Sequence, residues 1–120
     1  MADRVLVLTW KDPARGREER AVDSFNDVVG YYGRMQQEGK LEKFDIVFCE
    51  PNGDLGGYME IHGTPEQLSA MREDEEFQRL LVEASLVVDD LRICAGFTGA
   101  AIADQMTMYT EAISKVPQAG

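Results

Sequence analysis

Arg4-Val5-Leu6-Val7-Leu8-Thr9-Trp10 is the stretch whose reading decides the fold. Successive side chains of a strand point to opposite faces. Val5, Val7 and Thr9 therefore share one side, and Leu6, Leu8 and Trp10 share the other. Both sides are apolar, and a strand of that kind has to be covered on both faces. The run from Phe44 to Cys49 has the same character, with Phe44, Ile46 and Phe48 set against Asp45, Val47 and Cys49. The helices that a chain of 120 residues can supply cover one face of a sheet well. A second copy of the chain is the simplest cover for the other.

The neighbouring segments supply the remaining elements. Lys11-Asp12-Pro13-Ala14-Arg15-Gly16 reads as a loop, and Arg17-Glu18-Glu19-Arg20 as a solvated first helical turn. Val22, Phe25, Val28/Val29, Tyr32 and Met35 then recur at three- and four-residue spacing, which predicts a helix ending at Gly39. Gly30 and Gly33 lie inside it and suggest a close approach to a neighbour. A second strand is expected over residues 41–50, and Pro51 to Gly57 is turn-rich with a hairpin-type Asn52-Gly53 pair. Residues 58–63 read as the third strand. Thr64-Pro65-Glu66-Gln67 is the strongest local signal: an N-cap, a proline in the first turn, and a glutamine placed for a capping box. Leu68 and Met71 face the core, the acidic run Glu73-Asp74-Glu75-Glu76 breaks the helix, and Phe77, Leu80, Leu81 and Ala84 resume it. Asp89-Asp90 turns the chain into a fourth strand, residues 91–97. Ile102, Met106, Tyr109, Ile113 and Val116 form the stripe of a last helix.

The order is β-α-β-β-α-β with an extra C-terminal helix, the split βαβ or ferredoxin-like plan of the α+β class. It predicts one domain spanning residues 1–120, built on a four-stranded antiparallel sheet of order 4-1-3-2. The formal charge of −10 disfavours a nucleic-acid partner. No apolar run approaches the ~18 residues of a membrane span, and the N-terminus lacks the layout of a signal peptide. Cys49 and Cys94 do not make a disulfide framework and read as small buried side chains on opposite edge strands. A cytoplasmic chain is the expectation.

Over residues 4–97 the sequence resembles the dimeric α/β-barrel superfamily. The resemblance rests on the element order, the two-sided first strand and the broken segment Met71-Arg72-Glu73-Asp74-Glu75-Glu76-Phe77. It implies a homodimer of ferredoxin-like subunits packed sheet to sheet. The superfamily includes cofactor-free quinone-forming monooxygenases, haem-degrading enzymes, isomerases and dehydratases, and fold alone does not choose among them. Its monooxygenases tend to place Trp, Asn, Tyr or Arg near the substrate, and the resemblance implies Trp10, Asn26, Tyr31 and Tyr32 as the available residues of those types.

Strand alternation gathers Tyr58, Glu60, His62, Arg92, Asp45 and the two cysteines on one side of the sheet. Glu60, His62 and Arg92 are the candidate catalytic group, since carboxylate, imidazole and guanidinium together suit acid–base work. Tyr58, Trp10, Tyr31 and Asp45 are the candidate ligand contacts, with Tyr31 at the cavity mouth and Tyr32 in the core. The same polar set also suits an ion-pair network that orients two subunits. His62 is the only histidine, so a multi-histidine metal site within one chain is not expected; no cofactor is expected either. Three functions fit: binding of a small apolar or aromatic molecule between sheet and helices, cofactor-free oxidation or isomerisation of an aromatic or polyketide-like substrate, or a structural dimer module.

Overall fold

The computed structural model describes residues 2–117 and 119. β1 (Arg4–Trp10), α1 (Glu18–Gln37), β2 (Lys43–Phe48), β3 (Gly57–Gly63), α2 (Pro65–Glu73), α3 (Glu75–Ser85), β4 (Arg92–Phe97) and α4 (Ala101–Ser114) follow in that order. β1 pairs antiparallel with β3 on one side and β4 on the other, and β2 completes an antiparallel sheet of order β2-β3-β1-β4. This is the ferredoxin-like arrangement that the element order predicts.

The register sorts the side chains. Leu6 lies opposite Ile61 and Leu8 opposite Met59, and all four are buried on the helix side. Val28, Tyr31, Tyr32, Met35, Leu41, Leu68, Met71 and Phe77 close the core over them. On the other side Val5, Val7 and Thr9 lie opposite His62, Glu60 and Tyr58. On this second face Val7, Thr9, Tyr58, Glu60 and His62 are all partly solvent-accessible, while Val5 is buried.

The local signals act as physical chemistry requires. Thr64 accepts from the Gln67 amide at 3.1 Å while the Gln67 side chain accepts from the Thr64 amide at 2.9 Å. That reciprocal bond satisfies two donors a helix start would otherwise leave open. Asp74 separates α2 from α3 in an extended conformation, and its carboxylate accepts from the Glu76 amide.

Several expectations need correction. β2 is shorter than residues 41–50, although single bonds from Glu42 N to His62 O (2.8 Å) and Cys49 N to Gly56 O (2.9 Å) continue its pairing past each end. Leu41 precedes the strand and is buried in the core. β4 begins at Arg92, because Asp90 takes a left-handed φ of 54° and turns the chain there. The β2–β3 connection is no tight Asn-Gly hairpin. The Asn52 amide bonds the Glu50 and Leu55 carbonyls, its oxygen accepts from the amides of Asp54 and Leu55, and Gly53 has a φ of 78°. Gly30 and Gly33 approach nothing: a Cβ at either would meet no atom within 4 Å. The buried stripe of α1 runs through Ala21, Ser24, Val28, Tyr31, Tyr32 and Met35, leaving Val22 exposed. Cys94 is exposed and Cys49 half-buried in the single chain, not the buried pair expected.

Candidate functional site

A cavity of about 450 Å³ opens between the sheet and α1. Leu8, Trp10 and Met59 form its floor from the helix side of the sheet, and Ala21, Ser24, Phe25, Asn26 and Val28 form its α1 wall. Ala84, Val88 and Leu91 close a further side from α3 and the loop after it, and Phe48, Val22 and Pro13 complete the lining. Among the described lining residues none is ionisable, and the polar groups are Ser24, Asn26 and the Trp10 indole. Such a volume with an apolar lining and few polar groups has the character of a small-molecule pocket.

Three rings shape this cavity. Trp10 meets Phe48 edge-on at 6.2 Å between centroids, and Phe48 lies against Phe25 at 5.1 Å. Trp10 is seated by glycine: a Cβ on Gly57 would stand 2.7 Å from the indole ring and 2.6 Å from the Val47 carbonyl oxygen. The Gly56 amide also donates to the Trp10 carbonyl at 2.8 Å. The Gly56-Gly57 pair, read from sequence only as turn, was the signal that this tryptophan lies flat against backbone. Phe25, Phe48, Val88 and Leu91 do not read as pocket residues from the sequence, because their convergence depends on how α1 crosses the sheet.

The candidate residues divide between two places. Trp10 lines the cavity, and so does Asn26. Glu60, His62, Tyr58 and Asp45 gather on the open face of the sheet, where Asp45 lies opposite Glu60 in the register. His62 Nε2 is 3.5 Å from Glu60 Oε1 and 3.8 Å from Asp45 Oδ2, and Lys43 Nζ is 3.7 Å from that same Asp45 oxygen. Arg92 lies opposite Thr9 on the exposed edge strand and makes no salt bridge among the described residues. The sheet itself therefore separates Glu60, His62 and Arg92 from the cavity. A ligand held against Trp10 is out of their reach.

Tyr31 is not at the cavity mouth. It is fully buried against Phe77 and Tyr32, and its hydroxyl donates to Asp74 at 2.7 Å. Burial first, and then the bond to Asp74, push its pKa far up. Burial alone does the same to Tyr32, whose hydroxyl has no hydrogen-bond partner among the described residues. The pair anchors α1 to α3 and to the sheet. No group of three or more metal-binding side chains converges among the described residues.

Solved structures place this geometry among known folds. A dimeric ferredoxin-like protein of unknown function from Jannaschia sp. CCS1 superimposes with a TM-score of 0.61 at 10% identity, over 78% of this chain and 96% of its own. A Pseudomonas aeruginosa protein gives 0.61 at 16% identity, over 83% and 97%. A protein from Chloroflexus aurantiacus, described as a candidate antibiotic biosynthesis monooxygenase, gives 0.54 at 8% identity, over 81% and 94%. This chain shares the ferredoxin-like fold of these structures. At these identities the likeness extends to the fold alone. No protein-family model and no curated protein matches the sequence. Within this ferredoxin-like fold, the cavity lies on the helix face of the sheet and the His62 cluster on the other face.

Proposed function

We propose that this protein is a homodimer that binds a small apolar, aromatic molecule in the cavity between sheet and α1. The observation that carries the reading is the 450 Å³ cavity with its uncharged lining and its Trp10, Phe25 and Phe48 rings. Flat rings bind flat ligands through offset and edge contacts. Ser24 and Asn26 supply hydrogen bonds that would orient a ligand carbonyl or hydroxyl. The dimer is supported by the dimeric state of the Jannaschia protein and by the partly exposed Val7 at the centre of the open face. In this reading Glu60, His62 and Asp45 belong to the subunit interface, where they orient one sheet against the other, and Trp10 belongs to the ligand.

Trp10 is the only tryptophan, so its fluorescence reports the cavity directly. Titration with 1-anilinonaphthalene-8-sulfonate and then with anthraquinone should quench it saturably, with one site per chain. Ala84→Phe, which fills the cavity, should abolish the response. Quenching that never saturates, or that survives Ala84→Phe in a folded protein, rejects the site.

Turnover is a second reading, supported by the likeness to the Chloroflexus protein. An anthrone probe would take up one O2, gain a carbonyl oxygen and release one water, giving the anthraquinone without an added cofactor. The groups placed to orient it are Trp10, Ser24 and Asn26, not His62. Oxygen consumption that Asn26→Ala lowers and His62→Ala does not would support it; consumption unaffected by either variant would reject it.

A further inference from the structure

The buried face of α1 tapers toward its start. Met35, Tyr32, Tyr31 and Val28 fill the space over the sheet, but the two buried positions before them are Ser24 and Ala21. Ala84 of α3 lines the same space. Small side chains where the rest of the core has large ones leave the cavity open. Its lining is graded in exposure. Leu8, Met59 and Ser24 are buried, Trp10 and Phe25 half-buried, and Val22, Asn26 and Phe48 exposed. The mouth therefore lies at the exposed residues and the closed end at the buried ones.

Ser24 is the polar group of the closed end. It is 8% exposed, the one buried polar residue among those described apart from the two tyrosines. Its hydroxyl makes no hydrogen bond among the described residues. Hydroxyls on α4 behave differently: Thr107 donates to the Ala103 carbonyl at 3.1 Å, and Thr110 to the Met106 carbonyl at 2.9 Å. Ser69 of α2 is unbonded like Ser24, but it is exposed to water. A hydroxyl taken out of water without a partner is costly, and alanine would fill the same position without that cost. A partner arriving through the mouth removes it.

We infer that Ser24 is the specificity-determining residue of the cavity, and that its hydroxyl pairs with a ketone or phenol oxygen on the inner end of a planar ligand. The inference rests on the cavity reading above and narrows it, from apolar aromatic molecules in general to those that carry one oxygen at the end that enters first. Serine both donates and accepts, so a ketone accepts from it and a phenol donates to it. Leu8, Met59, Ala21 and Val28 offer no second side-chain partner at that end, so a second oxygen or a charge there would go unpaired. A plain apolar cavity prefers a hydrocarbon to its oxygenated analogue, because the oxygen has to leave water for nothing. A cavity with a waiting hydroxyl prefers the oxygenated molecule. The sign of that preference separates the two.

Naphthalene, 1-tetralone and 1-naphthol are titrated calorimetrically into the full chain, its Ser24→Ala variant and its Ser24→Cys variant. The wild-type protein should bind the tetralone and the naphthol at least about tenfold more tightly than naphthalene. Ser24→Ala should reverse the order, through lost affinity for the two oxygenated probes, with naphthalene bound as well as before or better. Ser24→Cys, close in size but a weaker donor, should fall between. A wild-type protein that binds naphthalene as tightly as the oxygenated probes, or a ratio that Ser24→Ala leaves unchanged, overturns the Ser24 pairing alone. Failure of all three probes to bind, or binding that survives Ala84→Phe in a folded protein, overturns the cavity reading and the pairing with it.

Discussion

Tyr31 and Tyr32 are adjacent, both buried, and opposite in their consequences. The Tyr31 hydroxyl is satisfied by Asp74, whereas the Tyr32 hydroxyl is buried without a partner among the described residues. Removing a satisfied buried group loses a bond, and removing an orphaned one relieves a desolvation cost. Tyr31→Phe should thus destabilise by about 1–2 kcal/mol, and Tyr32→Phe should be neutral or stabilising by up to about 1 kcal/mol, both read from urea midpoints. Both phenols have folded pKa values above the ordinary 10.0. The folded state then holds protons that the unfolded state releases, so stability is intact below pH 10 and falls as pH rises above it. A double Tyr31→Phe, Tyr32→Phe variant should lose most of that alkaline slope. From the sequence Tyr32 reads as core by its place on the helical stripe. Tyr31, off that stripe, reads as a residue of the cavity mouth, because one-dimensional spacing does not show that α3 arrives with Phe77 to cover it.

At the scale of elements, the start of α2 and the faces of the strands were the most legible features, and the packing of α1 the least. The α2 start is written in four consecutive residues whose hydrogen bonds are local, so nothing distant can overrule them. Thr64→Ala should cost about 1 kcal/mol in thermal or urea unfolding, the usual loss for a helix cap. The glycines of α1 teach the reverse. Two glycines three residues apart suggest tight packing, but Gly30 and Gly33 both face open space. They are helical and take no left-handed φ. Gly30→Ala and Gly33→Ala should therefore each stabilise the protein by roughly 0.5–1 kcal/mol, the helix-propensity difference. Loss of stability in either would mean that a surface not seen in the single chain packs there. The cavity was legible in part. Strand alternation put Trp10 on the same side as Leu6 and Leu8, which is the cavity side. The polar set of Glu60, His62 and Arg92 attracted a catalytic reading because alternation tells which residues share a face, not which face a ligand uses.

At the scale of the whole molecule, the proposed dimer places the open face of the sheet at the interface. Val7 stands at its centre, flanked in the register by Glu60 on β3 and Cys94 on β4. Its side chain points away from the core that Leu6 and Leu8 build, so a charge there leaves the fold of the single chain intact. If two sheets meet on this face, Val7→Asp buries an unpaired carboxylate against its own copy and against Glu60, a combination that costs several kcal/mol. Sedimentation velocity should then show the dimer replaced by a monomer with unchanged far-ultraviolet circular dichroism. Salt supplies an independent check. Each copy carries a formal charge of −10, and this repulsion opposes association at long range. Raising the ionic strength from about 0.01 to 0.15 M shortens the screening length from about 30 to 8 Å. The wild-type dimer should tighten over that range, as an apolar contact between like-charged bodies must. A Val7→Asp protein that stays dimeric, or a wild-type dimer that weakens with salt, would move the interface off this face and return the His62 cluster to solvent.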